Sequence, residues 1–360
     1  MDHNTALQEL IVQARIRCGQ RCALDTEADS LHSYREKLCL VQMAWPDFLA
    51  LVDPLSPNMS PAGLSELFRA LNDCELWFHG ADFDMSLLLR TFGSLPNCIL
   101  DTQLAARLIG EEKFGLADLI QRYFQVELSK SSQKADWGRR PMSEKMLRYA
   151  YDDVRYLLPL ADRLTQRLNE LGRWTWFLEW CQVSRRNVLQ RKERAPEEAW
   201  RVTGWGKLER KALCFLRALW NWRDEEAERA DSPPFRVLPN PLMLHLAQRA
   251  ADGASVRGAK GLNGSQSERL RRAIAEAATL PAEQWPARRI HRAGERLEFD
   301  QSVFNRLKEV RDAAARQLNL DPTVIATRGV LESLAMNRTG CEELLMSWQR
   351  ELMFGPSQVS

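Results

Sequence analysis

A chain of 360 residues, 45% hydrophobic and 27% charged, is too long for one small module and too ordinary in composition for a disordered segment, a collagen or a coiled-coil rod. Its net charge of +2 hides an asymmetry: residues 1–100 carry 7 Lys and Arg against 13 Asp and Glu, and residues 101–360 carry 43 against 35, which suits a cation-holding acidic segment joined to a basic remainder that meets a polyanion. No uncharged apolar run approaches the roughly 18 residues of a membrane span, and the opening MDHNTALQEL lacks the basic start and apolar stretch of a secretory leader, so the expected compartment is the cytoplasm.

The predicted elements begin with a helix over Thr5–Arg17, followed by β-rich runs at Arg21–Asp25, Leu38–Trp45 and Phe48–Asp53 that read as a strand meander. Helical stretches at Leu64–Leu71 and Asp82–Phe92 then alternate with apolar runs at Leu76–His79 and Ile99–Thr102, the pattern of a mixed α/β sheet covered by helices. From Leu104 to Leu171 the periodicity is mostly helical, broken by the polar loop Ser129–Pro141. A long helix is expected from Ser143 toward Leu171, started by Pro141 and Ser143 and stopped by Gly172.

Beyond that point the strands stop. Residues 173–204 open with WTWFLEW and become strongly charged, reading as a helix that leads to a linker at Ala195 and Pro196. Leu208–Ala227 is an amphipathic helix, followed by helices at Leu242–Ala250 and Ser267–Ala278 and, after a hinge at Pro281–Pro286, a helical block from Asp300 to Leu352. The expected fold class is an α/β N-terminal domain followed by all-α helical bundles. The expected boundaries are 1–172, a helical linker at 173–204, and two helical domains at 205–282 and 283–360. Most of the 12 tryptophans follow residue 170 and fit bundle cores, and the 8 cysteines include no C-x-x-C pair that would suggest a zinc site.

Asp25-Thr26-Glu27 closes the first strand, where alternation turns residues i and i+2 to one face. Chance supplies about six acid-x-acid triplets in a chain with 48 acids, so the weight lies in the position after a buried-looking strand. Asp84 stands at the start of a helix that directly follows a strand, with Asp82 beside it in an N-cap position. In RYAYDDVRYLLPL, Tyr149 and Asp153 are one helical turn apart and share a face, while Asp152 points about 100° away. Carboxylates converging from these places would repel one another unless divalent cations lay among them, as in two-metal phosphoryl-transfer sites, and oxygen-only donors select Mg²⁺ or Mn²⁺ over zinc.

ALDTEADS, FHGADFDMSLLLRTFG and YAYDDVRYLLPL resemble the three motifs of the DEDD exonucleases, and residues 20–165 as a whole resemble ribonuclease D. LCLVQMA, ILDTQLAARLIG and KSSQKADWGRRPMSEKMLRYA are similar to that family in order and spacing. The resemblance implies a ribonuclease H-like exonuclease fold in which Asp25, Glu27, Asp84 and Asp153 bind two divalent ions, Mg²⁺ or Mn²⁺. Asp84 is preferred to Asp82 because the family's acid directly follows a bulky residue, here Phe83. With Tyr149 four positions before the last acid and Arg148 where a histidine would otherwise stand, the sequence resembles the tyrosine subtype, in which that hydroxyl orients the attacking water. His79 reads as a hydrogen-bonded structural residue.

The loop carrying Lys130, Gln133, Asp136, Trp137, Arg139 and Arg140 is expected to hold the scissile strand, with packing as the alternative for Trp137. LERKALCFLRALWNWRDEEAERADSPPFRVLPNPLMLHLA and GLNGSQSERLRRAIAEA are similar to the helicase and ribonuclease D C-terminal (HRDC) domain, and residues 300–354 resemble a second, weaker copy. The family implies a 3′–5′ exoribonuclease that releases 5′-nucleoside monophosphates in tRNA 3′-end maturation and small-RNA trimming, with no organic cofactor and no membrane partner. The alternatives are a DNA 3′–5′ exonuclease and a catalytically silent RNA-binding protein. The same division implies that a fragment ending near Glu193 still shortens a short unstructured RNA.

Overall fold

The computed structural model describes residues 3–192, 195–256, 261–288, 300–336 and 341–355. Helix α1 (His3–Ile16) leads into β1 (Arg21–Ala28), and β2 (Leu38–Ala44) and β3 (Leu49–Val52) follow as antiparallel neighbours. After α2 (Pro61–Ala70), the strands β4 (Glu75–Phe78) and β5 (Cys98–Asp101), joined by α3 (Asp82–Phe92), extend the sheet in parallel on the other side of β1, giving the order β3-β2-β1-β4-β5. Alternation along β1 and β4 sorts their side chains between two cores. Leu24, Leu76 and Phe78 pack with Leu10, Leu67 and Met85 of α1–α3, while Ala23 and Trp77 turn to the opposite layer. Asp25 and Glu27 continue the side that Ala23 begins.

That layer is built from α4 (Thr102–Leu108), α5 (Leu116–Phe124), α6 (Glu144–Arg155), α7 (Leu157–Glu170) and α8 (Trp174–Gln190). Ser143 caps α6 by accepting from the Met146 amide. The single helix expected from Ser143 to Leu171 is two helices meeting at Tyr156, because Pro159 has no N–H to give the Arg155 carbonyl and its ring crowds that turn. Helix α8, expected to lead into a linker, instead buries Phe177 and Cys181 in the core of this layer. Its tryptophan-rich start is therefore a packing surface of the catalytic region. Among the described residues no helix is long and apolar enough to cross a membrane.

The remaining helices are α9 (Arg210–Arg229), α10 (Pro234–Val237), α11 (Asn240–Ala251), α12 (Gly264–Ala278), α13 (Gln301–Leu318), α14 (Pro322–Ile325), α15 (Arg328–Ala335) and α16 (Ser347–Phe354). By packing, the chain forms two compact units: α1–α8, the sheet and α13–α16 make one, and residues 29–37 with α9–α12 make the other. This differs from the expected boundaries, in which 283–360 stood alone; of that range, 289–299, 337–340 and 356–360 lie outside the described residues. Leu307, Val324, Leu331 and Trp348 share one core with Leu160 and Phe177. In the second unit, the Tyr34 hydroxyl donates to Asp224 at 2.9 Å and the Tyr34 amide to Asp231 at 3.1 Å, fastening residues 29–37 to the end of α9.

The same local features recur, at one constant offset, in α9–α11 and α13–α15. Asp231 and Asn319 follow the long helices with positive φ, at 40° and 50°. Short proline-started helices come next, at Pro234–Val237 and Pro322–Ile325, each ending in an extended residue, Leu238 or Ala326. In each case a buried arginine of the long helix, Arg223 or Arg311, donates to the carbonyl of that extended residue at 3.1 Å.

Among the contacts that fasten α13–α16 within the first unit, three stand out. Arg173, buried, donates to the Leu108 carbonyl and the Leu318 carbonyl, each at 2.7 Å. Trp176 stacks on Trp348 with ring centroids 4.8 Å apart. Gly110 takes φ +89°, and a Cβ there would overlap the Asn319 carbonyl oxygen.

Candidate active site

The sheet and α6 bring the predicted acids together. Asp25 and Glu27 lie at the end of β1, Asp84 in the first turn of α3, and Tyr149 and Asp153 on one face of α6, all lining a cleft of about 380 Å³ in the first unit. Carboxylate oxygens of Asp25, Glu27 and Asp153 lie within 4.8 Å of one another. Asp84, only 5% exposed, is turned onto the residue between the two β1 acids, accepting from the Thr26 amide at 3.1 Å and the Thr26 hydroxyl at 2.6 Å. Asp82 is placed elsewhere: its carboxylate pairs with Arg191 at 2.6 Å on the surface.

Burial and mutual repulsion load this cluster electrostatically. Glu27 is pushed up to about 10, first by burial and then by Asp25, Asp153 and Asp84. Asp153 rises to about 7 through burial, against the opposing hydrogen bond from Tyr149. Burial and then Asp153 raise Asp25 well above the usual carboxylate range, and burial and then Asp25 do the same to Asp84. Metal-free, the site therefore holds protons near neutrality, and a set of converging carboxylate oxygens fits a hard divalent cation that displaces them. Burial, then Asp153, Glu27 and Asp25, drive the Tyr149 phenol far upward, so it remains a donor, and its hydroxyl bonds Asp153.

The loop expected to hold the substrate divides. Lys130 and Gln133 line the cleft. Trp137 does not contact substrate space: it is 1% exposed and packs against Tyr149 at a centroid separation of 6.1 Å, with Cys39, Leu40 and Ala150 around it. Arg140 is likewise corrected to a supporting role, because its guanidinium grips Asp53 at 2.5 and 2.7 Å and the carbonyls of Cys39 and Trp137 at 2.8 and 2.6 Å, leaving it committed to the loop's own fold. The apolar size of Trp137 and an acidic partner at Asp53 outweigh any attraction to phosphate. Phe83, 45% exposed, and Gln103 also line the cleft and were missed. A large apolar residue between two acids was the available sign for Phe83. His79 lies at the cleft edge with Nδ1 2.9 Å from the Thr102 hydroxyl.

The 3′–5′ exonuclease family matches residues 1–169, and the HRDC domain family matches residues 213–278. Ribonuclease D of Sphingobium indicum is 30% identical over 354 residues, covering 96% of this chain and 90% of the relative. Ribonuclease D of Musicola paradisiaca is 30% identical over 367 residues, covering 97% and 95%. The crystal structure of Escherichia coli RNase D, described as an exoribonuclease involved in structured RNA processing, superimposes with a TM-score of 0.72 at 26% identity over 98% of this chain and 95% of that one.

Proposed function

Because the chain belongs to the ribonuclease D family and is a metal-dependent 3′–5′ exoribonuclease, we propose that it removes 5′-nucleoside monophosphates one at a time from the 3′ ends of tRNA precursors and other small structured RNAs in the cytoplasm. The observation that carries the reading is the convergence of Asp25, Glu27 and Asp153 beside the Tyr149 hydroxyl in one cleft.

Asp25, Glu27, Asp84 and Asp153 would hold two divalent ions, Mg²⁺ or Mn²⁺. When bound, such ions supply the positive charge that acidifies the attacking water and offsets charge on the leaving 3′ oxygen. The chain's own groups do the rest. Tyr149, kept protonated, orients the water through its hydroxyl while donating to Asp153. Glu27 and Asp153, held above the usual carboxylate range at about 10 and about 7, release their protons as the site loads, so metal affinity climbs as pH rises across that range. Lys130 and Gln133, on the loop before α6, steady the scissile strand against the acids. The second unit, with its HRDC match, adds phosphate contacts from arginine side chains, and the α13–α16 block is a second, degenerate HRDC copy, supported by the recurring arginine-to-carbonyl bonds of Arg223 and Arg311.

Full-length protein with Mg²⁺ and matched 3′-extended RNA and DNA oligonucleotides tests the reading. Stepwise 5′-mononucleotide release, faster from RNA and abolished by EDTA, is expected. Faster release from DNA would favour the repair-type exonuclease, and no metal-dependent hydrolysis at all would favour a silent binding protein.

A further inference from the structure

The ILDTQ segment ends β5 and starts α4, away from the three acidic motifs, and its Asp101 is 7% exposed. As N-cap of α4 the carboxylate accepts from the Gln103 amide at 2.8 Å. A cap needs one oxygen and one amide. Asp101 does more: it also accepts from the Gly80 amide at 2.8 Å and the Ala81 amide at 2.9 Å. These two residues form the turn from β4 into α3, and Ala81 is the N-cap of α3, with no side chain able to cap it. One carboxylate from a neighbouring strand therefore serves the starts of two helices, and its charge is well placed at both N-termini. The adjoining Thr102 reinforces the join, its hydroxyl donating to the Phe78 carbonyl at 2.9 Å and lying 2.9 Å from His79 Nδ1.

The fastened turn leads directly to the site. Asp84 follows Ala81 by three residues, and its carboxylate reaches Thr26, between Asp25 and Glu27. The Asp101 carboxylate thus accepts from Gly80 and Ala81, and, one helical turn later, the Asp84 carboxylate accepts from Thr26. Gln103, whose amide Asp101 holds, packs its side chain 3.3 Å from the position a Cβ would take on Gly80, whose φ is +76°. We propose that Asp101 is a positioning residue of the hydrolysis: by holding the Gly80–Ala81 turn it sets Asp84 at the height from which that carboxylate serves the acidic cluster. This rests on the reading of Asp84 as a metal ligand. Groups that orient ligands from behind typically contribute about 10- to 100-fold to metal affinity or activity.

The capping role and the positioning role separate chemically. Asp101→Ser keeps one oxygen for the Gln103 amide and gives up the reach to Ala81; Asp101→Asn keeps the volume and one carbonyl oxygen, and guards against a serine variant that fails to fold. Each is compared with wild type and Asp84→Asn in the full-length protein by melting temperature, by calorimetric titration of Mn²⁺ into metal-free protein, and by kcat and KM on a short single-stranded RNA. The expected result is a folded protein with Mn²⁺ affinity and kcat each lowered about 10- to 100-fold and KM within threefold. In an Asp84→Asn background, Asp101→Ser should weaken Mn²⁺ binding no further, since both changes act through one carboxylate. Mn²⁺ affinity and kcat within twofold of wild type in the Asp101 variants, with Asp84→Asn inactive, would overturn the positioning role alone. An Asp84→Asn variant that binds Mn²⁺ and turns over normally would overturn the site reading beneath it.

Discussion

The two helical blocks, α9–α12 and α13–α16, repeat the same turn, the same short proline-started helix and the same buried arginine, yet they bury their apolar faces in different company. The first encloses its own core with Leu213, Phe215, Leu219, Trp222, Met243 and Leu246. The second ends in a helix of 8 residues where α12 has 15, and it shares its core with α4, α5, α7 and α8 of the catalytic unit. Local likeness thus fixes the shape of a repeat and says little about where its core lies. A block too small to bury its own surface completes its core against a neighbour.

Removing each block is the strongest way to break that contrast. A chain ending at Arg288 lacks α13–α16, and it should lose cooperative melting of the catalytic unit and more than about 100-fold in hydrolysis of a short RNA. A fragment cut before Pro196, which on sequence grounds keeps every catalytic acid, should fail in the same way, because it exposes the Leu160 and Phe177 side of the core and strands the Arg173 guanidinium. Activity of either fragment near that of the whole chain would show that the shared core is dispensable.

Point substitutions sharpen the contrast. Arg173→Ala removes two charge-assisted bonds to carbonyls and should cost about 3 kcal/mol in denaturant unfolding of the catalytic unit. Of the matched arginines, Arg311→Met should lower that unit's melting temperature and shorten the lifetime of activity on short RNA. Arg223→Met should lower the transition of the α9–α12 unit and leave short-RNA turnover within twofold. Equal effects of both on turnover would mean that the blocks are equivalent after all.

Smaller effects separate the blocks by charge and by pH. Arg217 and Arg272 line a groove of about 510 Å³ between α9 and α12. Changing both to Gln should weaken binding of a precursor tRNA and reduce the slope of log K against log salt by roughly 0.7 to 0.9 for each phosphate that is no longer neutralised; an unchanged slope would remove RNA from this face. The pH effect between pH 5 and pH 8 comes from the acidic cluster of the catalytic unit. Carboxyls whose folded pKa exceeds the unfolded value bind more protons when folded, so their contribution to stability is full at low pH and falls as pH rises, from the ordinary carboxylate range to about 7 for Asp153 and about 10 for Glu27. Metal-free protein should melt lower at pH 8 than at pH 5, and Mg²⁺ should reverse the loss. Asp25→Asn, inactive in hydrolysis, should raise the metal-free melting temperature at pH 8 by about 2–4 °C while the α9–α12 transition stays fixed; a fall instead would show that Asp25 stabilises the empty site.

Much of this was legible in the sequence because it was local. Five apolar runs gave the strands and their early adjacency. Asp25-x-Glu27 and Tyr149-x-x-x-Asp153 obey the two periodicities by which neighbours share a face, and the structure brings them to one cleft. The choice of Asp84 over Asp82 agrees with placement, since Arg191, more than a hundred residues away, claims Asp82. What escaped was decided by distant partners. Nothing near Arg140 announces that Asp53 will neutralise it, and nothing near Trp137 tells a stacking platform from a wedge under Tyr149. The break at Tyr156 is readable from Pro159, although the long periodicity around it reads as one helix. The grouping of α13–α16 with the catalytic unit depends on how much surface each block can bury unaided, which no short window of sequence contains.

The close approach at Gly110 turns docking into a rule of substitution tolerance. With φ at +89° and the Asn319 carbonyl oxygen already in the place a Cβ would need, the obstacle is main chain on both sides, so no change of side chain at position 319 relieves it. A saturation library at position 110 should return glycine alone among active clones. In any relative with another residue there, the last helices must dock differently or not at all, so one letter of sequence reports whether the final block has joined the catalytic body.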